Sequence, residues 1–405
     1  MTAVRIAGLA LLAAIALLAG CERTPPTPDV ERFLASHWAE PLAPQGAPPA
    51  SFSTLEASLA PQACGQCHPA QWQDWQTSLH SRSMGPGLRW QLHLFDQGRA
   101  NRCLRCHAPL AEQKALMAAE HGWPAQAAGP PPAYVEPTLA HQGLVCAACH
   151  VRGHARYGPA PRTRSDNGAP AHGGFVTAEA YGDSRFCAHC HQFPADGPRT
   201  AGKLHEDTYA QWQASGFAAT QSCQSCHMPD RRHLWRGIHD AETTRRAIDV
   251  QLAVVPVAPR RYEAQATVRN VGAGHHFPTY MVPKVELRFA RIDRDGRRSD
   301  LGRQSIGWTV DTAITREIED TRIPAGQSRR FVQPFDAPAH DGWSVELSLH
   351  VRPGEHYERT FRDSLSRVER LPEAAQPLLR EALRRVQDSE YELMRLHQRP
   401  PGIAN

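Results

Sequence analysis

Five Cys-x-x-Cys-His segments set the chemistry of this 405-residue chain: Cys64 to His68, Cys103 to His107, Cys146 to His150, Cys187 to His191 and Cys223 to His227. With 11 Cys and 22 His in the chain, random order would give roughly 0.02 such segments. Two thiols two residues apart can form thioether bonds to the vinyl groups of one porphyrin, and the following imidazole is then placed to ligate its iron. The residues therefore imply five covalently bound haem c groups. Cys64, Cys67, Cys103, Cys106, Cys146, Cys149, Cys187, Cys190, Cys223 and Cys226 supply the thioethers, and His68, His107, His150, His191 and His227 the proximal iron ligands.

Other uses of cysteine fit less well. A zinc ribbon needs two thiol pairs per metal, so five pairs leave one over and the adjacent histidines unexplained. A thioredoxin-like redox pair would follow an apolar strand into a helix, and none of the five does.

The second axial ligand decides the function, and seventeen further histidines are available for it. His80 follows the first segment, His141 precedes the third, and His205 precedes the pattern Tyr209/Trp212. His233 and His239 follow the fifth, and His275-His276 stand between glycine and Phe277-Pro278. Methionine would raise the potential instead. Met228 cannot fold back past His227, which leaves Met84 and Met281.

The elements that must position these ligands are short. Pro69 can open a helix over Ala70 to His80 with Trp72, Trp75, Leu79 and His80 on one face. Asp207-Thr208 caps another that brings Tyr209 and Trp212 together. Pro and Gly interrupt 124–137 and 153–174. Spacings of 39, 43, 41 and 36 residues between segments carry no shared periodicity, so a solenoid is not indicated.

The eleventh cysteine belongs to a different device. Arg5 precedes an apolar run, Ile6 to Gly20, which is too short for a membrane span and suits a signal-peptide core. Leu18-Ala19-Gly20-Cys21 resembles a bacterial lipobox, which implies cleavage before Cys21 and lipidation of that residue; an ordinary secretory signal is the alternative. Both imply export, the compartment where c-type haem is attached in bacteria. Residues 21–61 are rich in Pro, Ala and Ser, and read as a semi-extended tether between anchor and body.

The formal charge of +4 says little about partners. Loss of Arg5 and the gain of ten propionates would bring the exported protein to about −7, and no basic run marks a nucleic-acid partner. Only Lys114, Lys203 and Lys284 among the 45 basic residues are lysines, and some of the arginines suit carboxylate pairing with propionates.

Cys64-Gly-Gln-Cys-His68 with Trp75-Gln-Thr-Ser-Leu-His80, His141-Gln-Gly-Leu-Val-Cys146-Ala-Ala-Cys-His150, and Cys223-Gln-Ser-Cys-His-Met-Pro229 resemble the multihaem cytochromes related to the tetrahaem electron acceptor of hydroxylamine oxidoreductase. The likeness spans roughly 62–240. It implies low-potential haems in close-packed pairs, each iron held by two histidines, passing electrons along a chain. By position it implies His80, His141 and His239 as distal ligands. Gly274-His275-His276-Phe277-Pro278-Thr279 resembles a segment that supplies another through His275, with Tyr280 where the family has Gly. His205 remains a distal candidate from its position alone.

Residues 245–405 hold no cysteine. Alternation in Tyr262/Ala264/Ala266/Val268, Val285/Leu287/Phe289 and Val345/Leu347/Leu349/Val351 marks strands, and turn residues separate them. The expected fold is α+β in two domains: a pentahaem cytochrome domain of short helices and irregular chain at 62–244, then an antiparallel β-sandwich at 245–365. Ala375, Leu378, Leu379, Ala382, Leu383, Val386, Leu393 and Met394 predict a C-terminal helix within 366–405, running to about residue 397. The expected function is electron relay between periplasmic or membrane redox partners. The alternatives are an oxidoreductase acting on a small nitrogen compound (nitrite, hydroxylamine or nitric oxide) at one five-coordinate haem, and a structural role. No segment ends in the Cys-x-x-Cys-Lys of pentahaem nitrite reductases.

Overall fold

The computed structural model describes residues 28–124, 130–162, 171–338 and 342–401. The signal segment and Cys21 lie outside the described residues.

From residue 28 to 247 the described residues form a succession of short helices joined by turns, and among them are three small antiparallel or parallel strand pairings. Proline at the first turn starts the helices Pro61–Cys67, Pro69–Thr77 and Pro86–Leu92, because its fixed φ suits that position and its missing N–H would be unpaired there anyway. One apolar cluster gathers Leu59, Trp75, Leu110, Leu139, Val145 and Ala148, and a second Met84, Leu92, Leu104, Met117 and Trp123.

The helix expected to end at His80 stops at Thr77. Ser78 leaves in an extended conformation while its hydroxyl donates to the Trp75 carbonyl, so the serine satisfies the helix end and His80 opens a separate 3-10 turn. Asp207 does not cap the helix Thr208–Gln213: its carboxylate accepts from Gln192, and Glu206 accepts from the Thr208 backbone N–H instead.

Residues 28–61 depart from the tether reading. Pro28–His37 is a helix, and Val30, His37, Trp38, Leu42, Gln45 and Leu59 are buried. Proline-rich composition describes backbone stiffness, and here it coexists with enough Val, Leu and Trp to repay docking.

Helix Ala241–Ala247 runs directly into the first long strand. The long strands are β1 (Ile248–Ala258), β2 (Arg261–Asn270), β3 (Lys284–Ile292), β4 (Arg298–Ile306), β5 (Trp308–Val310), β6 (Glu317–Asp320), β7 (Ser328–Asp336), β8 (Ser344–Arg352) and β9 (Tyr391–Gln398). Strands β7-β2-β1 form one antiparallel sheet and β9-β8-β3-β4 another, with β5-β6 a separate pair. The alternating residues Ala264, Ala266 and Val268 of one sheet meet Val285, Leu287, Phe289, Val345, Leu347, Leu349 and Val351 of the other in a single core, as period 2 requires.

The outer face of β3 and β8 is also covered, by charge. Arg352 ties Glu286 to Glu358 and Glu390, and Glu346 takes Arg298 and Arg395.

The C-terminal helix is shorter than the sequence predicts. It spans Ala375–Gln387, and residues 391–398 form β9, paired antiparallel to β8. The unpaired N–H and C=O groups along β8 are a ladder that a helix cannot fill, and Leu393 reaches the core from a strand as well as it would from a helix. The helix packs Leu379 and Ala382 against Trp90 and Phe361, joining the carboxyl-terminal residues to the helical half.

Candidate haem-binding site

In the second to fifth segments all five residues lie on one helical turn, and i, i+3 and i+4 spacing sets the two thiols and the imidazole on one face, while in the first the helix ends at Cys67 and His68 leaves it in a non-helical conformation. Local caps hold these turns. Asp96 accepts from the Arg99 N–H ahead of the second, and Ser222 from Ser225 N–H at the fifth, while Ser184 accepts from Cys223 N–H and ties the fourth to the fifth.

All ten cysteines are free and retain accessible surface, although unpaired cysteine is ordinarily among the most buried residue types and their neighbours Leu104, Ala147 and Ala148 are fully buried. Thiols of different segments meet. Cys64 lies within hydrogen-bonding reach of Cys146, Cys106 of Cys190, and Cys187 of Cys223. That contact with Cys146 holds the Cys64 thiol down at about 7, and the Cys187 contact holds Cys223 at about 7. Cys149 acts electrostatically on both Cys187 and Cys190, and burial pushes its own thiol up to about 11. The fourth segment thus adjoins the second, third and fifth, and the first adjoins the third.

Histidine rings pair in the same region. The centroids of His80 and His191 are 6.4 Å apart, those of His150 and His233 6.1 Å, and those of His227 and His275 6.3 Å with ring planes 9° apart. An iron between two imidazoles needs about 2.0 Å per bond and about 1.1 Å from each nitrogen to its ring centre, hence roughly 6.2 Å between centroids. The three pairs fit that requirement.

Second partners fix the rings. Nδ1 of His150 donates to the Tyr157 carbonyl at 2.7 Å, that of His227 to Arg236 at 2.6 Å, that of His233 to Arg231 at 3.0 Å and that of His275 to His276 at 2.9 Å, which assigns the proton to Nδ1 and leaves Nε2 as the free lone pair. His107 does the same with Ser83 at 2.9 Å. Burial lowers the proton affinity of His80 to about 3 and of His150 and His275 to about 4, so these imidazoles are neutral, the form that binds metal. Tyr181 stacks on His150 at 5.2 Å, and Trp235 stands edge-on to both His80 and His233.

The remaining candidates lie elsewhere. His141 Nε2 is 2.6 Å from Glu120, and His205 Nε2 is 2.9 Å from the Thr200 hydroxyl, so neither presents that nitrogen to a second imidazole. His239 keeps an exposed surface beside Arg82, and among the described ring contacts it faces no imidazole at the spanning distance. His233, six residues earlier, takes the place beside His150. Its only sequence signal was proximity to the fifth segment, because the positive-φ turn at Asp230 and Arg231 that redirects it carries no distinctive composition. Met84 and Met281 are both buried in apolar clusters.

His68 is exposed, and it lines a cavity of about 500 Å³ together with Asp74, Arg162, Arg231 and Arg232. His172, His150 and His233 all interact with His68 electrostatically, and His172 Nδ1 is 2.9 Å from the Gly174 carbonyl. Among the described residues no group of three or more His, Cys, Asp or Glu converges as a metal cage. No helix among them is long and apolar enough to cross a membrane.

No protein-family model matches the chain, and no curated protein matches it. Among solved structures the chain is similar to a penta-haem cytochrome c552 from Thermochromatium tepidum, at 17% identity over 85% of this chain and 99% of that one, with a TM-score of 0.57. A sporulation control protein, Spo0M, from Bacillus subtilis aligns over 27% of this chain and 44% of that one at 12% identity, and its TM-score of 0.15 carries no argument. The chain therefore has a multihaem-cytochrome-like fold that combines short helices with antiparallel sheets.

Proposed function

We propose that the protein is a pentahaem c-type cytochrome that relays electrons between redox partner proteins, with most irons held by two histidines. The observation that carries this is the set of three imidazole pairs at iron-spanning separation, each containing one Cys-x-x-Cys-His histidine. Haem c supplies reversible one-electron chemistry whose potential follows its axial ligands and surroundings.

The chain's own residues do the rest. Ten thiols fix position, while the carbonyls of Ser83, Tyr157, Arg231, Arg236 and His276 hold the imidazole protons on Nδ1 and aim the other nitrogen. Burial keeps water from competing for that lone pair. The thiol contacts join the first segment to the third and the fourth to the second and fifth, and the electrostatic influence of Cys149 on Cys187 and Cys190 supports a relay that continues from the third to the fourth. Export, and lipid attachment at Cys21 to the inner or outer membrane facing the periplasm or cell surface, complete the reading.

A second reading is favoured by the exposed His68 and its arginine-lined cavity: one five-coordinate iron at which a small anionic nitrogen compound binds. Low-temperature EPR of the oxidised protein separates the two. The relay predicts predominantly low-spin irons, whereas a high-spin signal lost on adding nitrite supports catalysis at His68. A denatured mass that lacks five haem adducts overturns both.

A further inference from the structure

The segment ahead of the first Cys-x-x-Cys-His turn reaches into three of the other four. His37 donates from Nε2 to the Cys149 carbonyl at 2.8 Å. Arg152 donates to the His37 carbonyl at 2.7 Å and to the Ala148 carbonyl at 3.0 Å. Trp38 stacks on His189 at 4.7 Å with planes 9° apart, and the Arg152 guanidinium lies 5.1 Å from its ring. One carboxylate oxygen of Glu40 is 3.1 Å from His189 Nε2 and 3.2 Å from Arg105 Nε.

The positions of those partners matter. Arg105 lies between Cys103 and Cys106, and His189 between Cys187 and Cys190. Glu40 therefore joins the two inter-cysteine residues of the second and fourth segments, whose thiols Cys106 and Cys190 are themselves in contact. A spacer has no need of such contacts. Half-exposed ion pairs of this kind contribute about 0–1 kcal/mol, so Glu40 chiefly fixes geometry, while the buried, stacked Trp38 carries the docking energy.

We propose that Trp38 and Glu40 form a hook that sets the distance and angle between the second and fourth helical turns, and with them the approach of the two haems those turns hold. The proposal deepens the pentahaem reading and rests on it. Both are positioning residues, since their ring and ion-pair partners are His37, Arg105, Arg152, Phe186 and His189, none of them a Cys-x-x-Cys-His cysteine or its following histidine.

The test uses the full-length holoprotein, with Trp38→Ala, Trp38→Phe and Glu40→Gln compared by denatured mass and by EPR in parallel and perpendicular modes. The expected wild-type result is five haem adducts and a spin-coupled signal from adjacent irons. Trp38→Ala should keep the haem load and lose one coupled pair to isolated low-spin signals, with Trp38→Phe restoring the coupling through its ring. Glu40→Gln, an isosteric change at a half-exposed site, should cause a smaller shift in the same signal. Full haem load with unchanged coupling in both Trp38→Ala and Glu40→Gln overturns the hook alone. Failure of Trp38→Ala to accumulate leaves the decision to Glu40→Gln, whose unchanged spectrum overturns it. A wild-type mass without haem overturns the cytochrome reading beneath it.

Discussion

A histidine can ligate iron only as a neutral imidazole with one lone pair aimed at the metal, and each of these conditions has a visible cause at the level of single residues. Burial suppresses protonation of His80, and backbone carbonyls occupy the Nδ1 atoms of His150, His227, His233 and His275. His80→Ala and His233→Ala should each convert one low-spin iron to high-spin while all five haems stay attached. His141→Ala and His205→Ala should leave the low-spin count unchanged in the same EPR measurement.

Lys284 gives a pH dependence. It is buried, donates to the Met281 carbonyl at 2.7 Å, and sits 3.6 Å from Glu355; burial lowers its proton affinity to about 8. Between about pH 8 and its ordinary 10.5 the unfolded chain holds a proton that the folded chain has released, so raising pH favours folding by up to a few kcal/mol. The urea midpoint should rise from pH 7.5 to 9.5, and Lys284→Met should flatten that rise.

At the scale of elements, the loop between β2 and β3 carries His275, and one side chain shapes it. Asn270 is fully buried, donates from Nδ2 to the His275 and Ile323 carbonyls at 2.8 and 3.0 Å, and accepts from Ala273 N–H at 3.0 Å. Asn270→Asp keeps the acceptor and removes both donors, leaving carbonyls unpaired in a buried place at a cost of about 1–3 kcal/mol. A lower Tm with a new high-spin fraction is the expected outcome, and a lower Tm with an unchanged spectrum would confine Asn270 to stability.

The strands of this half were legible because a two-residue period admits one reading for Ala264 to Val268 or Val345 to Val351. Residues 391–398 were not. Leu393 and Met394 extend the preceding helical stripe, and only the open edge of β8 decides for a strand. Trp38 likewise sat inside a proline-rich stretch whose composition argued for a spacer, and the surface that receives it is made by Arg152, Phe186 and His189, more than a hundred positions later.

For the molecule as a whole, docking from Pro28 shortens the reach of the proposed anchor. Cys21 precedes Pro28 by seven residues, and at about 3.5 Å per extended residue the body would stay within roughly 25 Å of the membrane surface. With the proposed anchor in place, the proposed electron exchange would be confined to partners at that same membrane. Cys21→Ser should release the holoprotein from the membrane fraction with its haem load intact, as measured by fractionation and absorbance; retention in the membrane would remove Cys21 as the anchor.

The sequence alone located the segments to which the proposed covalent chemistry belongs, because attachment and one axial ligand would be contained in five consecutive residues. It also determined that the carboxyl-terminal half alternates into strands. Tertiary structure decided which histidine faces which: His191 meets His80, His150 meets His233 rather than His239, and His227 meets His275. Those partners are far apart in the chain, and their meeting depends on turns at Ser78 and Asp230 and on the Asn270 loop. A ligand pair across an iron tolerates little error in distance, and only the packing of several elements at once supplies that precision.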